Sequence, residues 1–482
     1  MKRLITLALL GLMALGCAAT ASAATEVKMT GDARIWGNFW SNINYTGWNT
    51  RGTNTGDALT IWERFRLRTD FIANENLKFR LGIRVNNTPW GNGTFTVDNP
   101  AVSIDVYQAY LQFKWPNTDV EFTVGLQDMD LPISSQGLFN SNPVLGGTRA
   151  AAAVFVIPVV DQFKVIGGFT RLLDTNRDFD PTTTQVPDEL DAYFLALPIT
   201  LDGFAATPWA VLSFGGKNAN YVTPVGTSPR FTNQSLATNL ASAGYMLGPV
   251  GFRQAQTTYW WVGSAFAVSA LDPFKFYADV MYGEGAANDG KNRRGGLFFD
   301  VAAEYGGFDM LTPQVAFWYS TGEDSSTRNG SERMPTVVGS WGPSTSFLLD
   351  SGQAFSGHMG LNPTGSWGFA ASLNKMSFIQ DLTHRLTFTY ARGTNSGRAL
   401  RAANALWGTG TYVQMGRDLT TNEYVVGVNF DNQYNIYENL AAIVEAGWAH
   451  GQFEKSVWGR RLVNQAQDGD AWKVAFGIQY KF

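Results

Sequence analysis

The chain has 482 residues, of which 45% are apolar, 14% aromatic and only 16% charged, with 36 Lys and Arg against 40 Asp and Glu. Soluble domains carry roughly 25% charged residues, so a water-facing globule of this size is short of charge, while 33 Phe and 16 Trp exclude a disordered chain. The mean hydropathy of −0.12 excludes long greasy blocks, and without a basic run there is no nucleic-acid partner to expect. Strands with one apolar and one wet face reconcile few charges with modest average hydropathy.

The first element is a leader. Lys2 and Arg3 precede an apolar stretch from Leu4 to Gly16, and Ala21-Ser22-Ala23 forms a small-x-small cleavage site. This is the pattern of a secretory signal peptide over residues 1–23. Its removal takes two basic residues and the one cysteine, Cys17. Leu15-Gly16-Cys17 also resembles a lipoprotein box, but Ala14 stands where Leu is usual. After the leader, the longest apolar run is Ala150 to Val160, interrupted by Pro158. A membrane helix needs about 20 apolar residues, so helical spanning is excluded and spanning by strands is not.

Alternation with period 2 then dominates. Leu77, Phe79, Leu81, Ile83 and Val85 oppose Lys78, Arg80, Gly82 and Arg84. Phe274, Phe276, Ala278, Val280 and Tyr282 oppose Lys275, Tyr277 and Asp279. Leu386, Phe388 and Tyr390 repeat the pattern, as do Tyr424, Val426, Val428 and Phe430. The last strand sets Trp472, Val474, Phe476, Ile478, Tyr480 and Phe482 against Lys473, Gly477, Gln479 and Lys481.

The connections alternate too. Short turns fall near 74–76, 116–118, 159–161, 199–202, 271–273, 308–310, 380–382 and 437–439. Long segments rich in Gly, Asn, Ser and Thr lie near 45–57, 87–100, 128–148, 174–188, 215–253, 283–294, 322–365, 394–422 and 452–469. Tight turns on one side and long loops on the other mark a transmembrane β-barrel. Eight turns and nine loops join 18 antiparallel strands, with 16 as the alternative, and one barrel domain fills residues 24–482. Closure is obligatory, because hydrocarbon offers no partner to an open sheet edge. Trp36, Trp40, Trp62, Trp115, Trp367 and Trp448 are expected in the interfacial girdles.

Gly477-Ile478-Gln479-Tyr480-Lys481-Phe482 resembles the C-terminal signature of bacterial outer-membrane proteins. The resemblance implies that Ile478, Tyr480 and Phe482 are read by the barrel-assembly machinery and close the barrel against the first strand. The hairpin Val106-Tyr107-Gln108-Ala109-Tyr110-Leu111 through residues 118–127 is similar to the porin hairpin that precedes an inward-folding third loop. Opening and size most resemble the outer-membrane homotrimeric porins of sulfate-reducing bacteria, within the general porin class. This implies a homotrimer of water-filled pores in the Gram-negative outer membrane, in contact with its lipid and lipopolysaccharide and without a cofactor. General porins usually have sixteen strands, whereas the loop count here gives eighteen.

If the greasy face points outward, Arg34, Arg64, Arg66, Arg68, Lys78, Arg80 and Arg84 form a basic pore wall on three neighbouring strands, with Glu63 a misfit on the outer face. The resemblance places the third loop in the pore, with its acids Asp128 and Asp130 facing that wall. Glu121, Asp279, Asp300 and Glu304 are further inward candidates. Facing charge arrays are how pores choose ions. A barrel this wide is expected to hold an aqueous channel.

For catalysis the inventory is thin: His358, His384 and His450 show no metal spacing, and no P-loop or Gly-x-Ser-x-Gly elbow occurs. Gly283-Glu284-Gly285 with Asn288-Asp289-Gly290 reads as turns rather than a calcium site. The expected function is passive diffusion of ions and small hydrophilic solutes. The alternative is a channel specific for an oxyanion or a sugar, in which stacked Trp36, Tyr277 and Trp318 would favour the sugar. A barrel enzyme or adhesin, and a soluble secreted β-protein, are remoter readings.

Overall fold

The computed structural model describes residues 25–42, 45, 58–135, 137–174, 189–216, 223–225, 228–230, 256–288, 290, 293–326, 328–337, 341–349, 354–355, 359–407, 413–468 and 470–482. The leader lies outside them, as do His358 and Asp289. No helix among the described residues is long and apolar enough to cross a membrane.

Strands run β1 (Glu26–Ser41), β2 (Ala58–Asn74), β3 (Leu77–Pro89), β4 (Asp105–Lys114), β5 (Glu121–Met129), β6 (Thr148–Val160), β7 (Phe163–Asp174), β8 (Glu189–Ala196), β9 (Ile199–Leu201) and β10 (Phe204–Gly216). A small loop hairpin, β11 (Thr223–Val225) and β12 (Ser228–Arg230), follows. Then come β13 (Gln256–Leu271), β14 (Phe274–Gly285), β15 (Arg294–Tyr305), β16 (Thr312–Ser320), β17 (Ser366–Ile379) and β18 (Leu382–Gly393). The chain ends with β19 (Tyr424–Tyr437), β20 (Leu440–Gln452) and β21 (Ala471–Lys481). Helices α1 (Gly397–Trp407), α2 (Lys455–Trp458) and α3 (Arg460–Asp468) sit in the last two long loops.

Each barrel strand pairs antiparallel with its sequence neighbour, and β1 pairs with β21 from Asp32↔Lys481 to Ser41↔Trp472, so the sheet closes. β8 and β9 are two parts of one barrel strand, since both pair with β7 and β10. The β11–β12 hairpin stands apart, which leaves 18 strands around the cylinder. Sixteen is thereby excluded. The turn expected at 199–202 is corrected: Ile199–Leu201 is strand, and the reversal falls at Asp202 and Gly203. Pro198 explains the misreading, because it lacks an N–H and breaks the strand one residue earlier.

Exposure reports the two faces. Ile35, Leu59, Ile61, Phe71, Leu77, Val280, Val301, Phe369, Phe388, Phe430, Phe476 and Ile478 all project outward. At the seam, Gly31 and Phe482 exchange backbone hydrogen bonds of 2.8 and 3.1 Å, and the Phe482 ring stacks on Phe65 at 6.3 Å. Trp448 and Trp472 pair on the outer face, and Trp367 stands there beside Phe317 and Tyr390.

Two tryptophans assigned to the girdle are inside instead. Trp36 is 2% exposed and lies between Trp62 at 6.4 Å and Phe355 at 5.6 Å, with rings nearly parallel. Both are even-numbered, in step with the inward Arg34 and Arg64, and Trp40 shares that parity. Strand parity, rather than closeness to a strand end, decides which way a ring points.

Candidate functional site: the barrel interior

The inner face of β1–β4 is charged. Arg34, Arg64, Arg66, Arg68, Lys78, Arg80 and Arg84 share it through the registers Arg34↔Arg64, Arg66↔Arg84, Arg68↔Gly82 and Asp70↔Arg80. The wall is not bare. Asp32 receives Arg64 at 2.8 Å and Arg66 at 2.6 Å, with the Arg34 guanidinium at 3.6 Å. Asp70 takes Arg80 through two bonds of 2.6 Å, and Asp105 lies 4.0 Å from Arg84. The acids follow the parity that located the cations: Asp32 is two residues from Arg34, and Asp70 two from Arg68. Seven cations against three carboxylates leave a positive excess, and paired charges tolerate crowding that bare ones would not.

The acids of the third loop have their hydrogen-bond and ion-pair partners outside the seven cations of this wall. Asp128 pairs with Arg149 at 2.6 Å and accepts from Gln108 Nε2 at 2.7 Å at the extracellular end of β5. Asp130 accepts the Gly147 N–H and so fastens the two ends of the loop to each other. Glu63 accepts from the Trp90 indole N–H at 3.2 Å, which gives the misfit on the outer face a partner.

Much of the wall from β13 to β20 is covered. The described residues of the third loop (130–147) fold inward, and so do those of the seventh (321–365), a segment expected among the outer loops. The two pack on each other: Val337 N–H donates to Val144 at 2.7 Å, Ser344 N–H to Leu138 at 2.7 Å and Asn140 N–H to Gly342 at 3.2 Å. Phe139 meets Trp341 at 5.4 Å, and Trp341 reaches the wall at Phe298 (5.2 Å) and Trp318 (5.5 Å). Ser134 donates from its N–H (3.0 Å) and hydroxyl (2.6 Å) to Asp279 on β14. Trp261 of β13 donates to the Pro335 carbonyl at 2.7 Å.

Further along, the seventh loop is tied down strand by strand. Arg385 donates to Ser344 (3.1 Å), Thr389 to Ser346 (2.8 Å) and Asn429 to Thr345 (3.0 Å). Glu445 accepts the N–H groups of Ala354 (2.7 Å) and Phe355 (3.3 Å), and Arg34 donates to the Ala354 carbonyl. Two glycines on the inner face make room for this. A Cβ on Gly427 would lie 2.9 Å from Leu348, and one on Gly447 2.9 Å from Phe347.

Phe139, Trp341, Phe298, Trp318 and Leu348 are consequently 0% exposed. The expectation of an aqueous channel narrowed by the third loop alone is corrected: on the β13–β20 side the described residues of two loops form a packed core. The signal was present, because Trp341, Phe347, Leu348, Leu349 and Phe355 are too greasy for a loop in water. Trp36 and Trp318, taken as sugar-stacking candidates, are buried under the seventh loop, and Tyr277 donates its hydroxyl to Glu304 at 3.0 Å. Asp279 and Asp300 face inward but are sealed at 1% and 0%. His384 hydrogen-bonds Asn432 and stacks on Phe430, and His450 bonds Asp470.

Across the long loops runs a buried ionic lattice. Arg333 and Asp418 pair at 3.2 Å, both almost fully buried, and Arg417 holds the second Asp418 oxygen at 2.9 Å. Asp418 is held below the ordinary carboxylate range: burial opposes this, but Arg417 and Arg333 outweigh it. Burial pushes the Glu423 carboxyl up to about 7, although it accepts N–H bonds from Thr420, Glu454 and Trp458.

No protein-family model matches the sequence, and no curated protein matches it. The solved structures do give likenesses. OccK11 (OpdR) from Pseudomonas aeruginosa is similar with a TM-score of 0.52 and 8% identity, over 95% of this chain and 96% of that chain. The outer membrane protein OprD from the same organism is similar with a TM-score of 0.50 and 10% identity, over 94% of each chain. At such identities the likeness is one of fold: a closed barrel of the outer-membrane type, spanning nearly the full length of both chains.

Proposed function

We propose that this chain, after removal of residues 1–23, forms a water-filled channel in the Gram-negative outer membrane for passive diffusion of ions and small hydrophilic solutes. One observation carries the reading: the inner faces of β1–β4 stay partly exposed beside the packed loops. Arg66, Arg80 and Arg84 keep 29%, 23% and 23% side-chain exposure, whereas Tyr259, Trp261, Asp279, Phe298, Asp300 and Trp318 on β13–β16 are sealed. A tube oily outside and charged within has little other use than conduction. In this proposal Arg34, Arg64, Arg66, Arg68, Lys78, Arg80 and Arg84 edge the conduit, and Ile478, Tyr480 and Phe482 direct assembly at the seam. The proposal also includes a homotrimer, as in the porins of sulfate-reducing bacteria, and transport in place of catalysis.

The positive excess favours a lean toward anions. A sugar-specific channel is the weaker variant, because Trp36 and Trp318 lie under the seventh loop and offer no stacking face. Planar bilayers with a salt gradient test the reading. The triple variant Arg64→Gln, Arg66→Gln, Arg80→Gln should lower anion-over-cation permeability. An unmoved reversal potential would remove these side chains from the narrow part of the path, and no current at all would remove the channel.

A further inference from the structure

Between β18 and β1, below the point where Ala354 touches the wall, lies a cavity of about 380 Å³. Arg34, Arg385, Asp431, Glu445, Gln479 and Lys481 line it. It sits in the periplasmic half: Lys481 ends the last strand, and Arg385 is three residues past the turn into β18. We infer that this cavity is a second solute site, for a small multivalent oxyanion, which meets the charged wall of β1–β4 only at Arg34. The inference rests on the channel reading, since only a channel brings solute to it.

Charge decides the ligand class. The two carboxylates are already engaged. Asp431 accepts Arg385 Nε and Nη2 at 3.0 and 2.8 Å, while Glu445 pairs with buried Lys473 at 3.1 Å and holds the Ala354 and Phe355 N–H groups. Among the lining residues, Arg34, Arg385 and Lys481 outnumber them three to two, and the buried Lys473 neutralises Glu445 from behind. Arg34 and Arg385 remain 18% and 19% exposed, so each guanidinium keeps an edge on the cavity. Arg34 is oriented by Asp32 at 3.6 Å, by the Ala354 carbonyl and, with the Gln479 amide turned to suit, by two bonds of 2.8 Å. The Lys481 ammonium is exposed and has no side-chain partner among the described residues.

Geometry narrows the class further. Arg385 and Arg34 lie four strand spacings apart, about 19 Å of wall at ~4.8 Å each. Arg385 is drawn toward β19 by Asp431 and Arg34 toward β21 by Gln479, so cationic donors approach from two sides. A monocarboxylate offers oxygens along one edge only. A phosphate-like or pyrophosphate-like anion offers them all round and can accept from both sides, in charge-assisted bonds.

Inorganic pyrophosphate is the probe, added to one side of a bilayer holding the full-length channel in KCl, with acetate as the monovalent control. Pyrophosphate on the periplasmic side should interrupt the current, and acetate should not. K481Q should shorten the interruptions at least fivefold while leaving KCl conductance and reversal potential unchanged, and Thr383→Trp, which fills the cavity, should abolish them. Equal blocks in K481Q and the parent, or equal blocks by acetate, would overturn the site. Current in KCl with no pyrophosphate block sinks this site alone, whereas absence of any current sinks the channel with it.

Discussion

The two halves of the lumen are built from the same alternating strands and treated in opposite ways. On β1–β4 the inward positions carry Asp32, Arg34, Arg64, Arg66, Asp70, Arg80 and Arg84, bound to one another across the sheet, with Arg66, Arg80 and Arg84 still reaching water. On β13–β16 they carry Tyr259, Trp261, Asp279, Phe298, Asp300 and Trp318, dry beneath two loops. The difference teaches that a wide barrel is not open by default. A wall of aromatics captures an apolar loop, while the crowded cations of β2 and β3 keep part of their hydration and part of their surface.

The largest expected effect comes from breaking the dry half. Trp341→Ala removes the ring that joins Phe139 to Phe298 and Trp318, and should cost about 3–5 kcal/mol of loop packing. Single-channel conductance should rise several-fold as the third and seventh loops loosen. An unchanged conductance would mean that those loops do not limit flow.

Next in size is Asp32→Asn on the wet half. It leaves Arg34, Arg64 and Arg66 without their shared carboxylate, and removing one partner of such a cluster costs about 3 kcal/mol or more. Anion preference should increase at the same time, so a lowered thermal midpoint with a reversal potential shifted toward the anion limit is the paired readout.

Gly427→Ala and Gly447→Ala sharpen the boundary between loop and wall. Each Cβ must displace Leu348 or Phe347, with overpacking of about 1–3 kcal/mol. Hydrogen exchange at Phe347 and Leu348 should quicken, while the salt-gradient selectivity set by β1–β4 stays put.

The smallest effect lies outside the membrane. Because the folded Glu423 carboxyl titrates near 7 and an unfolded one near 4.3, the native loop binds the extra proton. Its contribution is full below about pH 4 and is lost as pH rises through 7. Amide protection in α2 should therefore fall between pH 5 and pH 8, and Glu423→Gln should flatten that dependence.

Much of the fold was legible in the sequence because a two-sided sheet writes its period into the chain. The 18 strands, the nine long loops and the inward parity of Arg64 and Arg80 all follow from alternation and turn composition. Pro198 shifted one turn, because it interrupts a ladder without ending the strand. The site was read less fully. Asp32 and Asp70 obey the same parity as the arginines and were open to the same argument. The apolar residues from Trp341 to Phe355 marked a loop that water would not accept. What alternation could not convey is where such a loop docks, since that depends on Gly427, Gly447 and Glu445, far along the chain and informative only once the cylinder is closed.

The stowed seventh loop has a consequence for size. In a hollow cylinder, bore grows with the number of staves, and an added hairpin would admit bulkier cargo. In the proposed channel the circumference is decoupled from the aperture, because part of the bore is taken up by loops anchored at points such as Ala354 and Trp341, so mesh and perimeter can change independently.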